Sequence, residues 1–314
     1  MKVSFVKMHG ASNDFILVDE WDSEVVPNDK KSDFVISFCD RRVGVGADGV
    51  VFVHKSRTSD AKFIIYNPDG SQAEMDGNGI RCFGKYLSDN GIVDKTDISV
   101  ETPAGVKYLR LTLFNDKVEQ VRVDMGVPQL TRAEIGISGN GKDMFVDETV
   151  KVGGLTWKLT AVGTGNPHAV IFVEDVMKAD VVGIGKSIRN MESLFKNGIN
   201  VHFVQNMGKN EFRIRSYERG VEGETLACGT GVCASAVAAV LNRMADPGKT
   251  FIFYAIGGEL HVELTMEGNR FERIFLIGPA VEVYRGELEY DPSEKFQAAA
   301  YTYVKKAIKQ SNGS

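Results

Sequence analysis

Residues 76–82 read Asp-Gly-Asn-Gly-Ile-Arg-Cys, and residues 228–233 read Cys-Gly-Thr-Gly-Val-Cys. Each segment has a residue able to carry a proton, then Gly-x-Gly, then an apolar run with helical spacing. The apolar positions are Ile80, Phe83 and Leu87 after the first turn, and Val232, Ala236, Ala239, Val240 and Met244 after the second. The pattern predicts two helices, each opened by a glycine-rich turn.

Short runs rich in Val, Ile and Phe surround both helices and are bounded by Gly, Asn or Asp, which is typical of β-strands. In the first half the predicted strands are Val3–Val6, Phe15–Val18, Gly49–Val53, Lys62–Tyr66, Ile98–Glu101, Val106–Leu113 and Val118–Met125. In the second half they are Val150–Val152, Leu155–Thr160, His168–Val173, Asn200–Gln205, Glu211–Ser216, Phe251–Tyr254, Leu260–Leu264, Arg273–Ile277 and Val281–Tyr284. Each half is therefore predicted to be a multistranded sheet with one central helix.

The paired turns predict an internal duplication, with coincidence between two glycine-rich turns as the alternative. The pattern breaks at Gly126-Val127-Pro128. We expect an N-terminal domain over residues 1–130, to which residues 276–287 return, and a C-terminal domain over residues 131–275.

The sequence of the C-terminal tail, residues 288–314, predicts an extra helix. Asp291 is a good capping residue, Pro292 suits the first helical position, and Glu294 follows three residues after the cap. This helix either docks on its own domain or binds a partner.

Bulk composition restricts the class of protein. A chain of 314 residues is long enough for two domains, and its net charge of −5 gives no reason to expect nucleic acid or an anionic membrane. No apolar stretch has the length of a membrane span, and the N-terminus lacks the features of a signal peptide. The four cysteines are too few and too scattered for a disulfide scaffold, and they form no Cys-x-x-Cys pair, which disfavours a thiolate zinc site. We expect a cytoplasmic protein with no metal.

Cys228 lies directly before a glycine-rich turn that opens a helix. The free N–H groups and the positive end of the helix dipole bind anions there, and the same field lowers the pKa of a thiol. Gly229 and Gly231 would let the backbone approach a carboxylate closely. A buried structural cysteine is the alternative, but Glu218 and Arg219 lie just upstream and favour a functional site.

The Gly-x-Gly turns do not predict a nucleotide cofactor. The full Gly-x-Gly-x-x-Gly is missing at both places, and no alternating strand–helix–strand pattern is visible. No lysine has a setting that suggests a pyridoxal Schiff base. We expect no cofactor.

Over residues 1–287 the chain resembles the diaminopimelate epimerase family of cofactor-independent amino-acid epimerases. The matching segments are 8–15 (Met-His-Gly-Ala-Ser-Asn-Asp-Phe), 40–49 (Asp-Arg-Arg-Val-Gly-Val-Gly-Ala-Asp-Gly), 67–71 (Asn-Pro-Asp-Gly-Ser), 77–82, 165–168 (Gly-Asn-Pro-His), 200–201 (Asn-Val), 218–220 (Glu-Arg-Gly) and 227–231 (Ala-Cys-Gly-Thr-Gly). The resemblance implies an α/β fold of two pseudo-symmetric domains. Each would be a mostly antiparallel sheet wrapped around a central helix, with the active site in the cleft between them.

The resemblance also implies the reaction, which converts LL-diaminopimelate to meso-diaminopimelate in lysine and cell-wall precursor biosynthesis. In the family, two cysteines on opposite faces of the α-carbon transfer the proton. A thiolate removes it from one face and a thiol returns one to the other. The implied partner is this small molecule, and a homodimer is one expectation.

The site residues are carried over by position in the matching segments. For the proton transfer and its clamp the resemblance implies Cys228, Asp76 and Glu218, together with Asn67 and Arg219. For the α-carboxylate it implies the N–H groups of Gly77, Asn78, Gly229 and Thr230. For the distal amino-acid head it implies Asn13, Asn166, Asn200 and again Arg219. His168 is carried over as a support near the site, with a buried core histidine as the alternative.

The chain departs from the family at position 76, where Asp76 replaces the first cysteine. Cys82 falls within the predicted helix and is no substitute. Reference pKa values of about 3.9 for Asp and about 8.5 for Cys make Asp76 a carboxylate and Cys228 a thiol at rest. The opposite arrangement lies uphill by roughly 6 kcal/mol. The resting protein is therefore ready to abstract a proton at Asp76 and to deliver one from Cys228.

Three functions remain open from the sequence. The first is a working epimerase in which Asp76 is the acid or base on its face. The second is an epimerase or isomerase of the same superfamily acting on another amino acid, since a related phenazine-pathway isomerase uses a carboxylate. The third is a substrate-binding variant with impaired catalysis. The residues implied for the distal head are intact, which favours the first over the second.

Overall fold

The computed structural model describes residues 1–291, and the contacts within it divide the chain into two compact units. The first unit comprises Met1–Leu109, Phe114–Val118 and the chain from Ala280, and the second comprises Arg110–Leu113 and Glu119–Pro279. The domain limits expected from the sequence stay a prediction. The helix predicted after Asp291 lies outside the described residues.

Strands are the commonest regular element of the described chain. In order they are β1 (Lys2–Gly10), β2 (Asn13–Asp19), β3 (Gly49–His54), β4 (Ala61–Tyr66), β5 (Gln72–Ala73), β6 (Asp97–Thr102), β7 (Gly105–Phe114), β8 (Lys117–Gly126), β9 (Glu148–Val152), β10 (Leu155–Gly163), β11 (Pro167–Phe172), β12 (Asn200–Gly208), β13 (Glu211–Glu218), β14 (Gly223–Thr225), β15 (Phe251–Ala255), β16 (Gly258–Glu267), β17 (Arg270–Pro279) and β18 (Val281–Glu289). The α-helices are α1 (Lys31–Cys39), α2 (Gly77–Asp89), α3 (Arg132–Ile135), α4 (Val181–Arg189) and α5 (Gly229–Leu241). Short 3₁₀ turns cover Asn28–Lys30 and Val176–Lys178.

In the first unit one sheet packs against α2. β1 pairs antiparallel with both β18 and β2, and β2 runs parallel to β3. β3 pairs antiparallel with β4. β4 in turn pairs antiparallel with β5 and parallel with β6. Helix α2 packs on β1, β2, β3 and β4. Ile80, Phe83 and Leu87 are all fully buried, so the predicted apolar face is confirmed.

In the second unit the sheet packs against α5. β10 pairs antiparallel with β9 and β11, β11 runs parallel to β12, and β12 pairs antiparallel with β13. β13 pairs with β14 and with the parallel β15, and the antiparallel series β15, β16, β17, β8 completes the sheet. Helix α5 is buried nearly all round, but Met244 is not part of it. The chain leaves the helix at Asn242, Arg243 has a positive φ of 57°, and Met244 is 42% exposed.

The two units repeat one connectivity, which confirms the predicted pseudo-symmetric α/β fold. The series β2, β3, β4, β5 and β6 around α2 has the same pairing directions as β11, β12, β13, β14 and β15 around α5. In each unit a further helix, α1 or α4, connects the parallel pair. The sequence analysis missed both, although parallel neighbours require a crossover connection of this kind. Within residues 1–291 no helix is long and apolar enough to cross a membrane.

A buried ion pair links α1 to the sheet of the first unit. Lys31 Nζ lies 2.8 Å from Glu20 Oε2, and both side chains are almost completely buried. The other oxygen, Oε1, accepts the backbone N–H groups of Val25 and Val26, and His54 Nε2 lies 3.0 Å from Oε2. Burial opposes ionisation of Glu20, but His54, Lys31 and the Val26 N–H outweigh it and hold its pKa at about 2.

Candidate active site

Asp76 is the N-cap of α2. Its backbone is extended, with φ −139° and ψ 128°, and its Oδ1 accepts the backbone N–H groups of Asn78 at 2.9 Å and Gly79 at 2.6 Å. Two of the N–H groups that a helix N-terminus leaves free are therefore satisfied by this carboxylate. One of them, the Asn78 N–H, is a donor that the family resemblance assigns to the α-carboxylate of the substrate. In this structure the chain's own carboxylate holds it.

Burial makes Asp76 a weaker acid than a surface aspartate. Desolvation raises its pKa, and the hydrogen bonds from Gly79 and Asn78 with the charge of Arg81 only partly offset the rise. Asp76 therefore takes up a proton at a higher pH than an ordinary aspartate does.

A chain of hydrogen bonds fixes the side chains beside Asp76. The buried Arg81 donates from Nη2 to Asn78 Oδ1 at 2.8 Å and from Nη1 to the Gly77 carbonyl at 2.9 Å. Asn78 Nδ2 donates to Asn13 Oδ1 at 2.9 Å, and Asn13 Nδ2 donates to Asp48 Oδ2 at 2.8 Å. The structure thus brings Asn13 to the same place as Asp76, Gly77 and Asn78. Sequence reasoning missed Arg81, although an arginine inside an apolar helical run was a visible signal.

Asn67 lies in an exposed turn at the end of β4. Its Nδ2 donates to Ser71 Oγ at 3.0 Å, its backbone N–H donates to the Ser71 carbonyl, and Gly70 adopts a positive φ of 81°. The turn is therefore pre-formed. We refer to Asn13, Asn67, Asp76, Gly77 and Asn78 as the α2 candidate residues.

The α5 candidate residues are eight residues of the second unit that the sequence predicted. These are Asn166, His168, Asn200, Glu218, Arg219, Cys228, Gly229 and Thr230. Cys228 is the N-cap of α5, with φ −121° and ψ 102°. Its Sγ lies 3.6 Å from Thr230 Oγ1, and the Thr230 carbonyl accepts the Thr164 hydroxyl at 3.1 Å. The first turn of α5 is thus not capped by a carboxylate, unlike that of α2.

The environment of Cys228 favours its thiol form. Burial raises its pKa well above the ordinary value, and the charge of Glu218 raises it further, while the Thr230 hydroxyl and the Gly231 N–H lower it only in part. The lowering of the Cys228 pKa expected at the start of a helix is not the net result, because desolvation and a neighbouring carboxylate raise it. Burial raises the pKa values of both Asp76 and Cys228, that of Cys228 well above its ordinary value.

Hydrogen bonds of Asn200 and Arg219 connect the end of β13 to β11. Asn200 is buried, and its Nδ2 donates to the Pro167 carbonyl at 3.1 Å. Its Oδ1 accepts the backbone N–H of Arg219 at 2.8 Å, and Arg219 Nη1 donates to the Asn197 carbonyl at 3.1 Å. Glu218 Oε1 accepts the Thr225 hydroxyl from β14. These contacts hold the 218–219 segment beside the turn of α5.

His168 lies in a buried chain of polar side chains. Its Nε2 is 2.7 Å from Asn166 Oδ1, and its Nδ1 is 2.8 Å from His202 Nε2. His202 Nδ1 is in turn 2.8 Å from Ser216 Oγ. Sequence reasoning missed His202 and Ser216, because only the register of three strands brings them to His168.

Burial lowers the pKa of both histidines, that of His202 to about 3, so both rings are neutral at pH 7. Among the described residues, His168, His202 and Cys228 are the group of possible metal ligands whose ligand atoms come within 4.8 Å of one another. His168 Nδ1 and His202 Nε2, the two ring nitrogens that face each other, are already joined by a hydrogen bond.

Comparisons with known proteins match most of the chain to one family. The family model described as diaminopimelate epimerase matches residues 5–131 and 160–283. Diaminopimelate epimerase of Moorella thermoacetica is 43% identical over 287 residues, which cover 91% of this chain and 99% of that protein. Diaminopimelate epimerase of Methanothermobacter thermautotrophicus is 42% identical over 292 residues, which cover 92% of this chain and 100% of that protein.

Two solved structures share the fold at low sequence identity. A phenazine biosynthesis protein of the PhzF family from Bacillus anthracis has a TM-score of 0.70 at 15% identity and covers 92% of this chain and 100% of its own. A probable proline racemase from Agrobacterium radiobacter has a TM-score of 0.68 at 18% identity and covers 93% of this chain and 94% of its own. These likenesses concern the architecture.

Proposed function

The chain belongs to the diaminopimelate epimerase family, and we propose that it converts LL-diaminopimelate to meso-diaminopimelate without a cofactor, as a step of lysine and cell-wall precursor biosynthesis. One observation carries the proposal. The two units repeat one architecture, and each places a residue able to carry a proton, Asp76 or Cys228, at the N-cap of the helix that a Gly-x-Gly turn opens. A cytoplasmic location and a homodimer stay predictions.

In the proposed reaction Asp76 and Cys228 act on opposite faces of the substrate's α-carbon. The Asp76 carboxylate removes the α-proton, and the electron pair of the C–H bond remains as a carbanion conjugated with the α-carboxylate. The Cys228 thiol delivers a proton to the other face and becomes a thiolate. Product release leaves Asp76 protonated and Cys228 deprotonated, so proton exchange with solvent restores the resting form.

The carbanion needs donors placed before the proton is removed, because an amino-acid α-proton is a very weak acid. We assign the N–H groups of Gly229 and Thr230 to the α-carboxylate, with Arg219 nearby. Gly77 and Asn78 complete this set only when Asp76 gives up the Asn78 N–H. The α2 candidate residues are therefore the ones that have to rearrange on binding.

The test is exchange of the α-proton in deuterium oxide. We expect LL-diaminopimelate to gain one α-deuteron and to become the meso isomer, as followed by proton NMR and chiral chromatography. Asp76→Asn and Cys228→Ala should each stop inversion, whereas Cys82→Ala, which alters a buried thiol in α2, should keep it. Inversion by Asp76→Asn at the wild-type rate would remove Asp76 from the mechanism.

The capped state of α2 favours a second candidate function, capture of diaminopimelate without turnover. Asp76 satisfies the Asn78 N–H, one of the donors that a substrate carboxylate would use, and a carboxylate held by two N–H groups is stabilised in that position. Calorimetric binding of diaminopimelate with neither α-exchange nor inversion would establish this function. Exchange with inversion excludes it.

A further inference from the structure

The polar chain behind His168 is an addition to the fold rather than a requirement of it. The registers of two strand pairings define it. Between β11 and β12, His168 is opposite Asn200 and Val170 is opposite His202, and between β12 and β13, His202 is opposite Ser216. In the first unit the same registers join Phe15 to Gly49, Leu17 to Val51, and Val51 to Ile65. The positions of His168, His202 and Ser216 are therefore filled there by Phe15, Val51 and Ile65.

The corresponding side chains in the first unit are buried and apolar. Phe15, Val51 and Ile65 are each no more than 2% exposed, and an added Cβ at Gly79 would touch Ile65 and Phe15 at 3.3 and 3.4 Å. Gly231 is the equivalent glycine in α5, and an added Cβ there would lie 2.2 Å from His202 Cε1. An apolar cluster under the helix turn is therefore sufficient for this fold. Placing two buried histidines and a serine there costs desolvation free energy unless all their hydrogen bonds are formed.

The hydrogen bonds are complete, and they run in one direction. Asn166 Oδ1 can only accept, so His168 Nε2 carries the proton and His168 Nδ1 is an acceptor. His202 Nε2 must then donate to His168 Nδ1, which leaves His202 Nδ1 to accept the Ser216 hydroxyl. Because both rings are neutral, each has one donor and one acceptor nitrogen. Each group therefore donates to the next one, from the Ser216 hydroxyl through His202 and His168 to Asn166 Oδ1.

We propose that His202, supported by Ser216, is a positioning residue that holds His168 in its Nε2–H tautomer and so turns the Asn166 amide to offer its NH₂ group to a carboxylate of the ligand. The ligand is taken to be an amino acid whose distal head carries the carboxylate that Asn166 contacts, and this identity rests on the proposed function. Asn166 Oδ1 is already engaged by His168, so the NH₂ group is the part that remains for the ligand. A reversed chain would present the amide oxygen, which repels a carboxylate.

The first measurement uses the free protein and does not depend on activity. The chain has five histidines, so ¹⁵N-labelled histidine gives a resolvable set of ring spectra. We expect His168 and His202 both to be neutral Nε2–H tautomers from pH 6 to pH 8. His168 as an Nδ1–H tautomer would overturn the proposal, because the amide of Asn166 would then be the donor to the ring.

The second measurement uses three substitutions of His202. His202→Phe keeps a ring over Gly231 but removes both nitrogens, His202→Asn places an amide only near Nδ1, and His202→Gln places an N–H donor near Nε2. We expect His202→Phe and His202→Asn to move His168 toward its Nδ1–H tautomer and to raise KM for diaminopimelate about tenfold or more, with kcat changed much less. His202→Gln should restore both the tautomer and most of KM.

Two outcomes separate this proposal from the proposed function. If the wild type neither binds nor turns over diaminopimelate, the proposed function fails, and the tautomers in the wild type and the three variants still decide the role of His202. If diaminopimelate is turned over but His202→Phe leaves the His168 tautomer and KM unchanged, the positioning role is wrong. Circular dichroism and urea unfolding confirm that each variant is folded.

Discussion

At the scale of single residues, Asp76 combines a structural and a proposed chemical function. Its Oδ1 caps α2 through two backbone N–H groups, while burial raises the pKa of the carboxyl group. A capping carboxylate is stabilised as an anion near the helix N-terminus, and a general base has to release its charge during turnover. Substitutions that keep one of these functions and remove the other can therefore separate them.

Asp76→Asn and Asp76→Ala provide that separation. Asparagine is as good an N-cap as aspartate, so Asp76→Asn should unfold in urea close to the wild type, whereas Asp76→Ala should lose about 1 kcal/mol of stability. Neither variant has a base at position 76, so both should lose α-proton exchange. Retained exchange in Asp76→Asn, with stability unchanged, would show that residue 76 is a cap and nothing more.

The pH profile of inversion should reflect the unequal pair. Asp76 must be ionised to act as the base, so activity is lost as the pH falls through its pKa, which burial places above 3.8. Cys228 must be a thiol to donate, and its pKa lies well above 9.0, so activity should persist to at least pH 9. A profile of kcat/KM between pH 4 and pH 10 that falls below pH 9 on its alkaline side would contradict the assignment of Cys228.

Asp76→Cys should make the two proton carriers alike. The protonation state left after one turnover is uphill by roughly 6 kcal/mol for an aspartate–cysteine pair before environmental shifts, and a pair of cysteines has no such bias. We expect the inversion rate at pH 8 to rise at least tenfold, and the acid limb to move to higher pH because a thiolate becomes the base. An unchanged acid limb would mean that residue 76 does not titrate in the reaction.

At the scale of elements, the start of α5 is determined by close packing between a glycine and a histidine ring. An added Cβ at Gly231 would lie 2.2, 2.6 and 2.7 Å from His202 Cε1, Nε2 and Nδ1. The ring is hydrogen-bonded at both nitrogens, so it cannot move aside without losing a partner. The geometry of the glycine-rich turn that opens α5 therefore depends on a side chain from β12.

Gly231→Ala should destabilise the protein by about 2 kcal/mol in urea unfolding, since overpacking outweighs the gain in helix propensity. The matched control is Gly223→Ala, where no atom lies nearer than 4.0 Å to the added Cβ, and we expect little change. In a His202→Ala background the cost of Gly231→Ala should disappear. An undiminished cost there would place the strain elsewhere.

At the scale of the whole molecule, the buried Glu20 makes stability depend on acid pH. Its pKa is lowered from 4.5 to about 2 on folding, so its contribution is fully present above pH 4.5 and is lost as the pH falls toward 2. A shift of this size corresponds to about 3 kcal/mol at most. We expect the difference in unfolding free energy between the wild type and Glu20→Gln to shrink between pH 4.5 and pH 2. A difference for Glu20→Gln that stays constant over this range would contradict the lowered pKa of Glu20.

The sequence predicted a large part of this protein for definable physical reasons. Alternation and β-branched composition located the strands, and helical spacing after the glycine-rich turns located α2 and α5. The helices α1 and α4 were missed because short helices that connect parallel strands depend on the sheet that they cross. Met244 was assigned to α5 because spacing alone does not show where Arg243 turns the chain out of the helix.

The sequence by itself determined the duplicated α/β architecture, the family, and the unequal pair of Asp76 and Cys228, because these depend on local spacing and on residue identity. The tertiary structure alone showed that Asp76 caps its own helix, that burial keeps Cys228 a thiol, and that His202 and Ser216 stand behind His168. Those properties depend on which atoms face each other across strands and how little water reaches them. Desolvation and hydrogen-bond direction are set by neighbours that are distant in sequence, so no local pattern contains them.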